Sequence, residues 1–152
     1  PWPAILGRVR AAAEGDFVVV FYNPRSRTRR RQLPEALAVL AAHRPPTTPV
    51  GIVTNAFRPG QQVTVTTLAE ITGPAGRGPG PDAGRDGGPG VFPAGTAAPG
   101  PAKLLELVGM TSTVVVGASS TRVQAGLMVT PRGYSWRGPA HFGRTARETE
   151  RR

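Results

Sequence analysis

Three short apolar runs constrain the fold of this chain most strongly. Residues 17–22 (FVVVFY) are apolar or aromatic at every position, without the alternation of a half-exposed strand. This pattern is typical of a strand covered on both faces, as in the parallel sheets of α/β proteins. Residues 50–55 (VGIVTN) and 112–117 (STVVVG) indicate two more strands.

Helical patterns alternate with these runs. Apolar residues recur at helical spacing over residues 4–14, and Gly15 ends the pattern. A second helix is predicted over residues 34–43, with Pro34 in its first turn, where a missing amide proton is tolerated. Further predicted elements are a turn at 57–61, strands at 63–67 and 126–130, and short helices from 67 and 103. Because helices and strands alternate, the class is α/β.

Two segments fall outside this pattern. In residues 73–101, 17 of 29 residues are Gly or Pro, so the segment has too little apolar surface to offset the cost of ordering it. We predict a flexible loop inserted into a domain of residues 1–134. Residues 135–152 are polar and rich in arginine, and we predict a loose basic tail.

Composition excludes several classes of function. The chain has no cysteine and only two histidines, His43 and His141, so neither a zinc site nor a Ser-His-Asp hydrolase has support. Nineteen Lys and Arg residues against nine Asp and Glu give a formal net charge of +10, which is consistent with an acidic partner but equally with the arginine bias of GC-rich coding, so charge alone decides little. No apolar run approaches the roughly 20 residues that cross a bilayer, so we expect a soluble cytoplasmic protein. Because the first residue is Pro1 rather than Met, we expect a piece of a longer protein.

Five segments resemble one enzyme family in their order along the chain. They are FYNPRSR at 21–27, VGIVTNA at 50–56, VTTLAEI at 65–71, TSTVVVGASSTR at 111–122 and MVTPRGY at 128–134. Together they resemble the tetrapyrrole methyltransferases that use S-adenosylmethionine. Within that family, YNPRSR and MVTPRGY are most similar to the branch that methylates C17 of precorrin-3B in cobalamin biosynthesis.

The resemblance implies a particular architecture. It identifies the chain as the carboxy-terminal α/β/α domain of a two-domain enzyme, with a mixed, mostly parallel sheet of about five strands. The cofactor, S-adenosyl-L-methionine, is expected in a cleft between the domains. The amino-terminal domain is absent from the sequence, so the fragment alone is not expected to be competent. The complete enzyme is expected to be a homodimer that contracts the precorrin macrocycle to precorrin-4 as it methylates it.

Cofactor contacts follow from the resemblance at three strand boundaries. Tyr22 and Asn23 end the first strand, where the family places the adenosine part of the cofactor; the alternative is a strand-ending Asn-Pro turn with a packed tyrosine. Asn55 and Ala56 close the next strand, and a small alanine lets adenine approach the backbone. Ser112 and Thr113 match a third segment, which contacts adenine through main-chain groups in the family.

The arginines allow three interpretations. Five of the seven residues from 25 to 31 are arginine, and they form either a solvated approach to a helix, or a contact with the substrate, or a nucleic-acid surface. The solvated approach is the default interpretation, and the resemblance offers substrate contact as the specific alternative, since a tetrapyrrole carries many carboxylates and arginine binds carboxylates bidentately. Nucleic acid is the less favoured partner because no aromatic residues interleave the arginines. The candidate substrate-binding residues, all near strand boundaries, are Arg25, Arg27, Arg122 and Arg132.

Residues 76–82 (GRGPGPD) resemble the GxGPG turn with which complete family members begin. That turn requires a buried strand before it and a helix after it, and the sequence predicts neither here. We therefore expect no cofactor loop at this position. Catalytic residues are not identified, and the alternatives are another enzyme of the fold, including an rRNA methyltransferase, or a basic binding module without enzyme activity.

Overall fold

The computed structural model describes residues 1–73 and 100–131. Four helices and six strands follow in chain order. They are α1 (Trp2–Glu14), β1 (Val19–Tyr22), α2 (Gln32–Ala41), β2 (Pro49–Thr54), β3 (Gln62–Thr67), α3 (Leu68–Thr72), α4 (Pro101–Glu106), β4 (Ser112–Val116), β5 (Arg122–Gln124) and β6 (Leu127–Val129). This alternation confirms the α/β class. Within these two ranges, no helix is long and apolar enough to cross a membrane.

The sheet is antiparallel, which corrects the prediction of a mostly parallel one. Its order is β1-β4-β2-β3, and β4 runs antiparallel to both of its neighbours, as β3 does to β2. The apolar run that suggested parallel strands is evidence of burial and not of strand direction. On β1, only one of the two faces is even partly buried. Val20 is 40% exposed and Tyr22 77% exposed.

The helices cover one face of this sheet. Val50, Ile52, Val114 and Val116 point to that face and share the buried core with residues of all four helices. Over the opposite face lies the β5–β6 hairpin, since a Cβ added at Gly51 would come within 2.9 Å of the Met128 sulfur. The described residues therefore form a helical layer, a sheet and a small hairpin, and they contain no second helical layer of the predicted α/β/α arrangement.

Most boundaries agree with the sequence to within a few residues. Thr67 caps α3 in a capping box with Glu70, which explains why so short a helix forms. Strand β5 was not predicted, because three exposed residues carry no apolar pattern. The predicted insertion at 73–101 and tail at 135–152 fall almost wholly outside the described residues, as does the GRGPGPD segment.

Candidate functional site

One end of the sheet collects the predicted cofactor-binding residues. Strands β1 and β2 stop there and β3 and β4 start there, because Tyr22 pairs with Thr113 and Thr54 pairs with both Ser112 and Gln62. We call it the Asn23/Asn55 end. Tyr22 and Thr113, which lie 91 positions apart in the sequence, and Thr54 and Ser112, 58 positions apart, thus become neighbours through strand pairing.

Asn23 and Asn55 end their strands in the same way. Both have left-handed backbone conformations, with φ of 46° and 53°, a region in which asparagine is enriched among non-glycine residues. The Asn23 amide donates to the carbonyl of Ser112 at 3.0 Å, and the Asn55 amide donates to the carbonyl of Thr111 at 3.1 Å. The two turns are therefore hydrogen-bonded to the start of β4 from either side.

A row of side chains crosses all four strands at this end, on the face away from the helices. It consists of Tyr22, Thr113, Val53 and Val63, joined by consecutive cross-strand pairs. Tyr22 and Val63 at the two sides are exposed, while Thr113 and Val53 between them are half-buried. The row presents an apolar surface with a hydroxyl at each of two positions, which suits a flat ligand with polar edges.

Ser112 has a different role from Thr113, its neighbour in the sequence. Its side chain is 2% exposed, and its hydroxyl lies 2.8 Å from Thr54 Oγ1 and accepts the Gly109 amide at 2.9 Å. Its carbonyl accepts the Asn23 amide. Ser112 therefore fixes the loop before β4, and the more accessible groups beside it come from Thr113 and Asn55, which are half-buried, and from the exposed Ala56.

The predicted substrate arginines are dispersed. Arg25 donates from Nη1 to the carbonyl of Leu105, which ties the loop after β1 to α4. Arg27 is exposed in the same loop. Arg122 follows β4 at the opposite end of the sheet, and its Nη1 donates to the carbonyls of Ser119 and Thr121 at 2.7 and 3.0 Å. Arg132 lies outside the described residues.

A cavity of about 420 Å³ opens beside β1, between the starts of α1 and α2. Tyr22 and Asn23 line it together with Trp2, Ile5 and Arg29. Trp2 is held by a hydrogen bond of 2.6 Å from its Nε1 to Glu35 Oε2. Trp2 and Arg29 were not predicted as site residues, since a tryptophan at a helix start and one arginine among five give no distinguishing signal in the sequence.

Two groups with shifted pKa values lie at the opposite end of the sheet. Hydrogen bonds from the Ser119 hydroxyl and amide lower the pKa of Asp16, while burial lowers the pKa of the Arg44 guanidinium. Arg44 is 5% exposed and donates to carbonyls of Gly117, Phe17 and Ala12. These shifts accompany contacts that hold helices and strands together.

Residues 3–72 match the model of the family described as "Tetrapyrrole (Corrin/Porphyrin) Methylases". A "Probable cobalt-factor III C(17)-methyltransferase" of Salmonella typhimurium is 39% identical over 135 residues, which cover 89% of this chain and 43% of that protein. A "Precorrin-3B C(17)-methyltransferase" of Sinorhizobium sp is 41% identical over 70 residues, 46% of this chain and 28% of that protein.

A crystal structure of the methyltransferase CobJ matches the fold with a TM-score of 0.60 and 26% identity, over 86% of this chain and 41% of that one. The chain thus spans less than half the length of these relatives. The matched residues include the strand ends at Tyr22 and Asn55, around which the candidate site is built. By sequence and by fold, the chain belongs to the tetrapyrrole (corrin/porphyrin) methylases.

Proposed function

We propose that this chain is part of an enzyme that transfers a methyl group from S-adenosylmethionine to C17 of precorrin-3B, or of its cobalt-containing counterpart, cobalt-factor III. The observation that carries the proposal is the grouping of Tyr22, Asn23, Asn55 and Thr113 at one end of the sheet. One relative that matches 89% of this chain and another that matches 46% of it are both named for C17 methylation.

The residues at this end suit the adenosine part of the cofactor. An exposed tyrosine ring at Tyr22 offers a flat apolar contact, and the Thr113 hydroxyl beside it offers a polar one. At Asn55 and Ala56 the chain leaves β2 with a small side chain, which lets a planar base approach the backbone. We assign these residues to the cofactor, with Asn23 and Ser112 contributing through the main chain that they position.

The proposed reaction requires correct positioning of the two reactants rather than a catalytic acid or base. The cofactor supplies an activated methyl group on a sulfonium: the electron pair of the ring carbon forms the new C–C bond, and the electrons of the broken C–S bond remain on sulfur. Residues of the site then hold the two reactants in line and exclude water, a contribution that can be worth roughly 7 kcal/mol or more. Contraction of the macrocycle to precorrin-4 belongs to this proposed reaction.

The substrate and the partners are part of the same proposal. Arg27 is exposed in the loop that follows Tyr22 and is free to meet a carboxylate of the tetrapyrrole. Arg25 can bind a carboxylate only if it gives up its hydrogen bond to the Leu105 carbonyl. Arg122 can do so only if it gives up its hydrogen bond to the Ser119 carbonyl. We further propose that an amino-terminal half completes the cleft and that the complete enzyme is a homodimer.

Titration with S-adenosylhomocysteine tests the cofactor site. We expect calorimetry to show binding to this chain that becomes tighter when the unmatched amino-terminal part of the Salmonella relative is added. Tyr22→Ala should weaken that binding about three- to tenfold, the range for one aromatic contact. Phe17→Ala serves as the control, because Phe17 is an exposed aromatic residue that precedes β1 at the other end of the sheet. Absence of binding both with and without the added part would rule out the assignment.

A further inference from the structure

Phe57 is the most exposed large apolar residue among those described, with its side chain fully in solvent at a relative exposure of 101%. It also has a left-handed backbone conformation, with φ of 58°. For an aromatic residue that conformation is an outlier and costs about 1–2 kcal/mol. Packing offsets neither the exposure of the ring nor the backbone strain, because the ring buries no surface against the described part of the chain.

Specific hydrogen bonds hold this conformation. The Phe57 amide donates to Gln61 Oε1 at 2.7 Å, and the Arg58 amide donates to the Asn55 carbonyl at 2.9 Å. The Gln61 amide in turn donates to the Arg58 carbonyl at 3.1 Å. The loop between β2 and β3 is therefore a defined turn that presents the ring. Backbone strain of this kind concentrates at functional sites.

The turn belongs to the Asn23/Asn55 end of the sheet. Three other large apolar residues are exposed there: Tyr22 at the end of β1, Met110 two residues before β4, and Val63 in β3, with exposures of 77%, 62% and 54%. Arg58 is exposed directly beside Phe57. Apolar side chains bordered by a guanidinium match a flat apolar molecule that carries carboxylates at its periphery.

We propose that Phe57 packs on the face of the tetrapyrrole macrocycle and that Arg58 binds one of its peripheral carboxylates. This inference rests on the proposed function, and it assigns the recognition of the macrocycle to the β2–β3 turn. The proposed adenosine contacts, Asn55 and Ala56, directly precede Phe57 in the sequence, so the same turn would contact both reactants. Methyl donor and acceptor are then positioned by one rigid segment of seven residues, 55–61.

Uroporphyrin, a stable planar tetrapyrrole with carboxylates around its rim, is the probe for this surface. Its absorbance and fluorescence report binding to the chain. Phe57→Ala should raise the Kd about three- to tenfold, as expected for loss of one aromatic contact, while Phe57→Tyr should leave it within about twofold. Phe17→Ala is the matched control and should leave the Kd unchanged. Arg58→Ala should weaken binding and reduce its dependence on salt, whereas Arg10→Ala, an exposed arginine on α1, should do neither.

A second variant separates recognition from folding. Phe57→Gly removes both the ring and the strain of the left-handed conformation, so it should weaken uroporphyrin binding without lowering the Tm. A ring with a structural role would instead give a lower Tm. Equal Kd values for Phe57→Ala and Phe17→Ala would overturn the proposal, and so would failure of the unaltered chain to bind uroporphyrin.

The cofactor titration distinguishes failure of this inference from failure of the proposed function. Phe57→Ala should bind S-adenosylhomocysteine with nearly the affinity of the unaltered chain. If the variant loses S-adenosylhomocysteine and keeps uroporphyrin, Phe57 contacts the methyl donor and the inference is wrong, while the proposed methyl transfer stands. Failure of the unaltered chain to bind S-adenosylhomocysteine, both with and without the added amino-terminal part, would contradict the proposed function, with uroporphyrin binding still measured independently.

Discussion

Asp16 shows how a single residue joins distant parts of the chain. It follows α1 with a φ of 54°, and its carboxylate accepts hydrogen bonds from the hydroxyl and the amide of Ser119, 103 positions later. These bonds lower the pKa of Asp16 below its ordinary value of 3.8, and the nearby Arg44 acts in the same direction. A lowered pKa means that the carboxylate stabilises the folded chain above pH 3.8, and that this stabilisation is lost as the pH falls through the lowered value.

Asp16→Asn should therefore reduce the free energy of unfolding at neutral pH by roughly 1 kcal/mol, a charged hydrogen bond weakened by solvent. Asparagine tolerates the left-handed backbone, so the change isolates the charge. Urea unfolding at pH 7 and below about pH 3 measures the effect, which should shrink at the acid pH. Glu106→Gln, in an exposed position on α4, is the control. A difference that stays the same at both pH values would show that the charge contributes nothing.

At the scale of secondary-structure elements, Arg44 connects α1, β1 and β4. The residue lies after α2, and its guanidinium donates to Ala12 in α1, to Phe17 before β1 and to Gly117 after β4. A planar group with several donors can serve three carbonyls at once, which an ammonium cannot do with the same geometry. Burial lowers the pKa of this guanidinium, and its Nη1 and Nη2 both donate hydrogen bonds while Nε is buried without a partner.

Arg44→Met should lower the free energy of unfolding by roughly 3 kcal/mol, because it leaves three carbonyls without their donor. Arg44→Lys should recover only part of that loss, since it retains the charge without the planar fork. Arg10→Met, on the exposed side of α1, should change stability by less than about 0.5 kcal/mol. Denaturant titrations of the three variants measure the differences. Arg44→Lys with unaltered stability would show that charge alone suffices.

For the whole molecule, β1 forms an unprotected edge of the described sheet. The hydrogen bond from the Asn23 amide to the Ser112 carbonyl sets which residues of β1 bond to β4. The main-chain N–H and C=O groups of Phe21 and Val19 therefore point toward β4, while those of Tyr22 and Val20 point away from the sheet. Val18, Val20 and Tyr22 are exposed, and β1 contains no charge, proline or bulge. Edges of this kind pair with other strands.

We therefore expect the chain by itself to associate as its concentration rises. Val20→Lys should suppress the association, because a charge on an edge strand disfavours pairing. Sedimentation velocity over a concentration series measures it. The control is Val123→Lys, at a position equally exposed, at 40%, but on the β5–β6 hairpin. Equal sedimentation of Val20→Lys and the unaltered chain at every concentration would exclude the β1 edge as the contact.

Sequence alone determined where the helices and all the strands except the exposed β5 form, because local apolar patterns and caps act over a few residues. It also indicated the family, from five separated segments of which the first three lie in residues 3–72, the part that the family model matches. Local pattern carries no information about strand direction, so the antiparallel pairing of β4 between β1 and β2 required the tertiary structure.

For the candidate site, too, some features followed from the sequence and others only from the tertiary structure. Tyr22, Asn23, Asn55 and Thr113 could be selected from strand ends and resemblance, but only strand pairing brings them to one end of the sheet. The tertiary structure alone showed that the Ser112 hydroxyl is enclosed, that Arg25 is bound to a carbonyl and that Phe57 is presented to solvent. The physical reason is that exposure and hydrogen-bond partners depend on residues far away in the sequence, whereas propensity depends on near ones.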